Sequence, residues 1–268
     1  MADSLLHQRL VKVLERLDQA ARSCGRDPGE ITLVAVSKLH GPERVADLAR
    51  FWAGLIAGGR VAGPVIFAEN YLQEALEKRE AVAALLAAQG PDPAGAAQGP
   101  QVAAIQAPEW HFTGHLQSRK AKGFAGAFAL LHTLDSLSLA RNLQKEFEKN
   151  LASGSPARPQ PVLLQVNIGR EEQKSGLNPE ELVSFISELK EFTGLEIKGL
   201  MCLPPYFAEG EKSRPYFREL RQLRDRARRE SGLDLPELSM GMSHDFEVAI
   251  EEGATLVRVG TDIFGERK

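Results

Sequence analysis

Cysteines and long apolar runs are scarce in this chain, and each scarcity argues against a class of protein. The two cysteines, Cys24 and Cys202, lie far apart and form no CxxC or metal-ligand spacing, which argues against a disulfide framework. No apolar run approaches the roughly 20 residues that span a bilayer. Residues 1–22 form an amphipathic pattern interrupted by charges rather than a signal peptide. We therefore expect a cytoplasmic protein with reduced thiols and no membrane partner.

Charge of one sign is not in excess either. The chain has 33 Lys and Arg against 36 Asp and Glu, a formal net charge of -3, which gives no reason to expect nucleic acid as a partner. No metal site is expected, because the HxxxH pair His111 and His115 flanks a predicted strand end instead of sharing a helix face. With 43% hydrophobic residues among 268, the chain can form a sizeable core.

Strand-like apolar runs alternate with helical periodicity along the chain. Several strands are nearly continuous apolar runs, such as LVAV and VLLQV, which is typical of parallel sheets covered on both faces. The predicted strands are 31–37, 64–68, 110–114, 128–135, 161–168, 196–203, 237–241 and 255–260. The predicted helices are 42–52, 70–88, 116–125, 137–152, 178–192, 212–231 and 244–252. This count predicts an α/β fold of the (β/α)₈ TIM-barrel type, and a doubly wound open sheet is the alternative because periodicity does not show closure.

We expect a single domain over residues 1–268, since no internal repeat divides the chain. Two Ala/Gly/Pro-rich segments, at about 52–63 and 87–108, are interpreted as insertions. The second is predicted to be a mobile surface loop rather than a linker between domains.

The segment 238–265 carries the strongest functional signal. Gly, Ser and Thr follow the last two predicted strands, where barrels of this type frequently bind a phosphate. The candidate phosphate contacts are Ser239, Ser243, Gly260 and Thr261. An ordinary helix cap and turn without a ligand is the alternative. Arg258 stands inside an otherwise apolar strand and needs a polar partner, which is either a ligand or a carboxylate in a structural ion pair.

Lys38 ends the first predicted strand, at the mouth of the expected barrel. A desolvated lysine amine attacks aldehydes to form a Schiff base, whereas a solvated or salt-bridged lysine is the alternative. A site for pyridoxal 5'-phosphate (PLP) needs an amine, phosphate-binding turns and a partner for the pyridine nitrogen. Arg258 fits the role of that partner. Because an arginine cannot accept a proton, it would keep the pyridine nitrogen unprotonated and weaken the ring as an electron sink.

Six segments, spread over most of the chain, have the pattern of a known protein family. They are AVSK at 35–38, ENYLQE at 69–74, WHFTGHLQSRK at 110–120, QVNIGREEQKSG at 165–176, LSMGMSHDFEVAI at 238–250 and GATLVRVGTDIFGER at 253–267. With these segments the chain resembles the pyridoxal phosphate homeostasis protein family, which is related in fold to the N-terminal barrel of alanine racemase. The resemblance implies that Lys38 is the Schiff-base lysine, that Arg258 contacts the pyridine nitrogen and that Asn70 lies beside the cofactor. It also implies that the phosphate is held by Ser243, Gly260 and Thr261, with Ser239 as a further candidate.

These residues are compatible with two functions. The resemblance implies a PLP-binding protein of intracellular PLP (vitamin B6) homeostasis, which holds PLP as a lysine aldimine without turnover. The alternative is a PLP-dependent amino-acid racemase or a related enzyme, which needs an acid/base group on each face of the ring. Alanine racemase, as the relationship suggests, takes its second base from a C-terminal domain of a partner subunit, and we expect that domain to be absent because the sequence ends at Lys268.

No catalytic residue is therefore assigned, although His111, His115 and Tyr71 are candidate replacements for the second base. The expected partners are PLP itself and PLP-dependent apo-enzymes as its recipients. We expect a monomer or a weak dimer.

Overall fold

The computed structural model describes residues 4–88, 107–155 and 157–266. Eight parallel strands form a closed barrel, with sequence neighbours adjacent in space and the last strand paired with the first. The strands are β1 (Thr32–Val36), β2 (Ile66–Glu69), β3 (Glu109–Phe112), β4 (Leu130–Leu134), β5 (Gln160–Val166), β6 (Leu195–Cys202), β7 (Glu237–Ser239) and β8 (Leu256–Val259). The predicted (β/α)₈ barrel is confirmed, and the open-sheet alternative is wrong because β8 closes onto β1.

Helices cover the outside of this barrel. Within the described ranges they are α1 (Ser4–Ser23), α2 (Pro42–Ala57), α3 (Leu72–Ala88), α4 (Ala121–Phe124), α5 (Leu137–Ala152), α6 (Leu182–Leu189), α7 (Arg214–Ser231), α8 (Phe246–Glu251) and α9 (Thr261–Phe264). No helix in this part of the chain is long and apolar enough to cross a membrane.

Three predicted segments differ from the structure or lie beyond it. Residues 52–57, predicted as the start of an insertion, are the last turns of α2, because Trp52 and Leu55 continue its buried face. The predicted helix 116–125 is reduced to the short turns Ser118–Lys120 and α4. In the predicted insertion at 87–108, residues 89–106 lie outside the described residues, so its mobility stays a prediction.

Two apolar layers, one on each side of the strands, stabilise the barrel. Alternation along each strand separates them, so that Val34 points to the inner layer while Leu33 and Ala35 belong to the outer one. The inner layer consists of Val34, Ile66, Ala68, Leu130, Leu163, Met201 and Leu256. The outer layer packs the helices against the barrel, and it leaves the carboxyl ends of the strands to form the site.

Helix α1 precedes the first strand and packs against α8 and α9. Its buried residues recur every three to four positions, as an amphipathic helix requires: Leu6, Leu10, Val13 and Leu17. Arg16 on this helix pairs with Glu247 of α8 at 2.6 Å and with Asp262 of α9 at 2.5 Å. Helix α1 therefore fastens the two elements that follow the predicted phosphate-binding turns.

Candidate functional site

A cavity of about 520 Å³ lies at the carboxyl ends of the strands. Six of the seven predicted site residues line it: Lys38, Asn70, Ser243, Arg258, Gly260 and Thr261. A second cavity, of about 550 Å³, lies at the opposite end of the barrel, where Thr32 begins β1, and none of the seven is among its described lining residues. The predicted residues thus converge on one end of the barrel.

Lys38 follows β1 by two residues and is half-buried in the cavity wall. The next residue, Leu39, has a φ of 65° although it is not a glycine. Such a left-handed backbone is strained for a leucine, and strain of this kind clusters at functional sites. The Leu39 amide donates to Glu74 Oε1 at 2.7 Å, so a side chain from α3 supports the strained turn.

Arg258 is the buried cation of the cavity, with 4% of its surface exposed. Its Nη1 donates to Ser239 Oγ at 2.6 Å and its Nη2 to the Cys202 carbonyl at 2.9 Å. Burial lowers the pKa of Arg258, and Cys202 and Asp245 act in the opposite direction. Among the residues described here, no carboxylate forms an ion pair with Arg258, so the structural ion pair considered from the sequence is not found.

Ser239 does not line the cavity. It is fully buried in the barrel interior, where its hydroxyl lies between Arg258 and His132. The structure therefore places Ser239 behind the arginine, and it does not bring this residue together with the other predicted phosphate contacts. Ser239 is the last residue of β7, and its hydroxyl points to His132 and Arg258 in the interior rather than to the mouth.

A hydrogen-bonded chain continues from Ser239 through two buried histidines. His132 Nδ1 lies 2.8 Å from Ser239 Oγ, and His132 Nε2 lies 3.0 Å from His111 Nδ1. Because a guanidinium only donates, Ser239 Oγ accepts from Arg258, and the direction of the two bonds beyond it follows the tautomer of His132. Burial lowers the pKa of His111 to about 4 and that of His132 well below its usual range. Both imidazoles are therefore neutral at pH 7.

The predicted phosphate contacts lie on the turns after β7 and β8. Ser243 precedes α8 but is not its N-cap. Asp245 occupies the N-cap position, and its side chain makes no capping bond to the helix. Its Oδ1 instead accepts from the Met242 amide at 2.7 Å and closes the turn before the helix. The Ser243 hydroxyl instead accepts from the amide of Asp262 in α9 at 3.4 Å. A Cβ on Gly260 would lie 3.3 Å from the Val36 carbonyl, so this turn packs tightly against the end of β1.

Asn70 is held beside the cavity by the two residues that directly follow β3. The Thr113 hydroxyl donates to Asn70 Oδ1 at 3.0 Å. Gly114 approaches so closely that a Cβ there would lie 2.0 Å from the Asn70 carbonyl. The close contact with Gly114 fixes the backbone of Asn70, and the residue lines the cavity from there.

Sequence reasoning missed several residues of the cavity wall. The polar ones are His40, Thr113, Lys174, Tyr206, Glu209, His244 and Asp245. His40 is stacked on Phe264 at 4.7 Å, and Lys174 donates to the Pro204 carbonyl at 2.9 Å. Their sequence signal was weak because most of them lie in loops, and the periodicity of apolar residues does not predict the path of a loop. His132 had a better signal, since it is a polar residue on the same strand face as buried Leu130.

The histidines and the tyrosine considered as replacement bases lie elsewhere. His111 is part of the interior chain, whereas His115 and Tyr71 have largely exposed side chains. None of the three is among the described residues that line the cavity.

Comparison with known proteins agrees with this architecture. Residues 33–268 match the family model of the alanine racemase N-terminal domain. The chain is also 40% identical to a pyridoxal phosphate homeostasis protein of Aquifex aeolicus, over 97% of this chain and 98% of that protein. The chain belongs to the pyridoxal phosphate homeostasis protein family.

Solved structures extend this family relationship. PipY of Synechococcus elongatus PCC7942, solved with PLP bound, is 29% identical and has a TM-score of 0.68, with 97% of this chain and 100% of that chain covered. Alanine racemase of Corynebacterium glutamicum has a TM-score of 0.62 at 16% identity, with 98% of this chain and 61% of that chain covered. The second similarity shows that a pyridoxal phosphate homeostasis protein shares the barrel of the racemase.

Proposed function

We propose that this protein binds PLP in the cavity at the carboxyl ends of the strands and serves PLP homeostasis in the cytoplasm. One observation carries the proposal: the cavity wall contains both Lys38 and the buried Arg258, whose guanidinium donates to a hydroxyl and a carbonyl rather than to a carboxylate among the described residues. The names of the relatives and the PLP bound to PipY support the same ligand. We further propose that PLP-dependent apo-enzymes receive the cofactor.

The residues present fit the chemical groups of PLP. A cavity of about 520 Å³ lies in the range of small-molecule sites, about 300–1,000 Å³. Ser243, Gly260 and Thr261 supply hydroxyl and amide groups on adjacent turns for a phosphate. Asn70 lines the same cavity.

Lys38 would attach the cofactor covalently. Its amine is the group that would condense with the aldehyde of PLP, with the aldehyde oxygen lost as water. Such a bond would keep the cofactor on the protein and would be reversed by water, which suits a protein that stores and releases it.

Arg258 would limit what the bound cofactor does. Since a guanidinium only donates, Arg258 would leave a pyridine nitrogen beside it unprotonated, and a ring in that state would withdraw electrons weakly. The interior chain from Ser239 to His111 supports this role, since both of its histidines are neutral and hold the arginine in place through Ser239. We infer that the protein holds PLP without turnover.

The covalent attachment is tested by mixing the purified protein with PLP, recording the visible spectrum and adding borohydride. Borohydride delivers hydride to the C=N bond, and peptide mass spectrometry is expected to find the pyridoxyl adduct on Lys38. Lys38→Ala is expected to lose both the absorbance and the adduct. Lys145→Ala, which removes an exposed lysine of α5, is the matched control and is expected to retain them. A wild-type protein without an adduct on Lys38 contradicts the proposal.

The absence of turnover is tested on the PLP-loaded protein with L-alanine. We expect no accumulation of the D-enantiomer on a chiral column. Steady racemisation that Lys38→Ala abolishes would favour the racemase alternative.

A further inference from the structure

A buried ionic cluster lies directly behind Lys38, on the α3 side of the barrel wall. Its members are Glu69 at the end of β2 and Glu74 and Lys78 of α3. The side chains of Lys78 and Glu69 are 4% and 0% exposed. Lys78 Nζ donates to three oxygens, each at 2.8 Å: the Ser37 carbonyl, Glu69 Oε1 and Glu74 Oε1. The three N–H bonds of this ammonium are therefore all used.

The cluster holds the two peptide groups that flank the Cα atom of Lys38. On one side, Lys78 binds the Ser37 carbonyl, and the Ser37 hydroxyl donates to Glu69 Oε1 at 2.7 Å. On the other side, Glu74 accepts from the Leu39 amide at 2.7 Å. Because one ammonium joins both carboxylates, the backbone before Lys38 and the backbone after it are fixed relative to each other.

Stability alone explains this cluster poorly. Buried ion pairs are often no more stabilising than apolar residues of similar size, and Glu69 Oε2 is buried without a hydrogen-bond partner among the described residues. The backbone that the cluster holds is also strained at Leu39, whose side chain is 57% exposed and gains little from burial. A cluster that maintains a strained turn beside Lys38 is better explained by the orientation that it imposes.

We propose that Lys78, Glu74 and Glu69 are positioning residues, which fix the backbone of Lys38 so that its amine is presented to the cavity. This inference rests on the proposed attachment of PLP to Lys38. It predicts that disrupting the cluster slows formation of the adduct even though the amine itself is retained.

The experiment uses the full chain, with PLP as the probe. Glu74→Ala removes the acceptor of the Leu39 amide from a side chain that is 28% exposed, and we expect adduct formation to slow by about fivefold to tenfold, as for the loss of one orienting hydrogen bond. Glu74→Gln retains an acceptor oxygen and is expected to remain within about twofold of wild type. Glu77→Ala alters an exposed residue of the same helix whose carboxylate accepts from Gln73 Nε2, and is the matched control. Lys78→Met removes all three bonds and is expected to slow the reaction by more than about tenfold.

The readouts are the rate of the absorbance change, its pH profile and the fraction of Lys38 trapped by borohydride, with melting temperatures measured alongside. Folded Glu74→Ala and Lys78→Met proteins with the wild-type rate and pH profile would overturn the inference, even if their melting temperatures fall. If Lys78→Met does not fold, Glu74→Ala decides alone. A wild-type protein that forms no adduct instead overturns the proposed function itself, so the two failures are distinguishable.

Discussion

Replacing Ser239 with alanine tests the interior chain that holds Arg258. The Ser239 hydroxyl accepts from Arg258 Nη1 at 2.6 Å and lies 2.8 Å from His132 Nδ1. Alanine preserves the backbone and the small volume of the side chain, so the change removes little besides these two hydrogen bonds. Arg258 and His132 would both keep their buried positions and lose a partner.

The magnitude follows from the two groups left without that partner. A buried polar group without a hydrogen bond costs about 1–3 kcal/mol, and more when it is charged. Arg258 retains its bond to the Cys202 carbonyl, which reduces its share. We therefore expect Ser239→Ala to lower the free energy of unfolding by about 3 kcal/mol, a large part of the stability of an ordinary domain.

The assay is urea unfolding of the cofactor-free protein, followed by circular dichroism. Ser153→Ala is the control, since it removes an exposed hydroxyl that donates to the Asn150 carbonyl at 2.9 Å, and it should change the free energy by no more than about 0.5 kcal/mol. A free energy of unfolding for Ser239→Ala within about 1 kcal/mol of wild type would refute the argument from unsatisfied buried partners.

Two further predictions concern the same end of the barrel. The pKa of His111 is about 4 in the folded protein, against an ordinary value of 6.5. As the pH falls, the unfolded chain therefore binds the proton before the folded one does. About 3 kcal/mol of stability is lost in this way between pH 6.5 and pH 4. His111→Asn, which keeps an acceptor for His132, should flatten this dependence in urea unfolding at stepped pH, with exposed His115→Asn as the control; an unchanged slope contradicts the assignment. Gly114→Ala should destabilise the protein by about 1–3 kcal/mol, because its Cβ would overlap the Asn70 carbonyl at 2.0 Å. Thermal melting measures the loss of stability. The control is Gly54→Ala in α2, where a Cβ meets nothing within 4 Å and up to about 1 kcal/mol of stabilisation is expected. Equal melting temperatures for the two variants would contradict the prediction for Gly114.

The order of strands and helices could be predicted from the sequence because strands covered on both faces have a distinctive apolar pattern. All eight predicted strands overlap observed ones. Closure of the barrel could not be predicted in this way. It depends on pairs such as Thr32 with Leu256, which are more than 200 positions apart and leave no local signal in either strand.

The site could be predicted in part, because the carboxyl ends of barrel strands meet at one mouth. That rule placed Lys38, Gly260 and Thr261 at one mouth, and all three line the cavity. It failed for Ser239, because whether a strand-end side chain faces the mouth or the interior depends on where pairing stops.

The buried charges of the described chain divide into two groups, and the division argues for a ligand. Five Asp, Glu, Lys or Arg side chains are buried: Glu69, Lys78, Asp245, Glu252 and Arg258. Lys78 pairs with Glu69, and Glu252 pairs with three arginines of α7. Within the described ranges only Arg258 and Asp245 lack an ion-pair partner, and both line the cavity. Asp245 partly offsets the charge of Arg258, since each shifts the pKa of the other, but the two form no direct ion pair, and burying a charge without one is costly. The position of these two charges therefore favours a ligand with polar and charged groups over a structural role for Arg258.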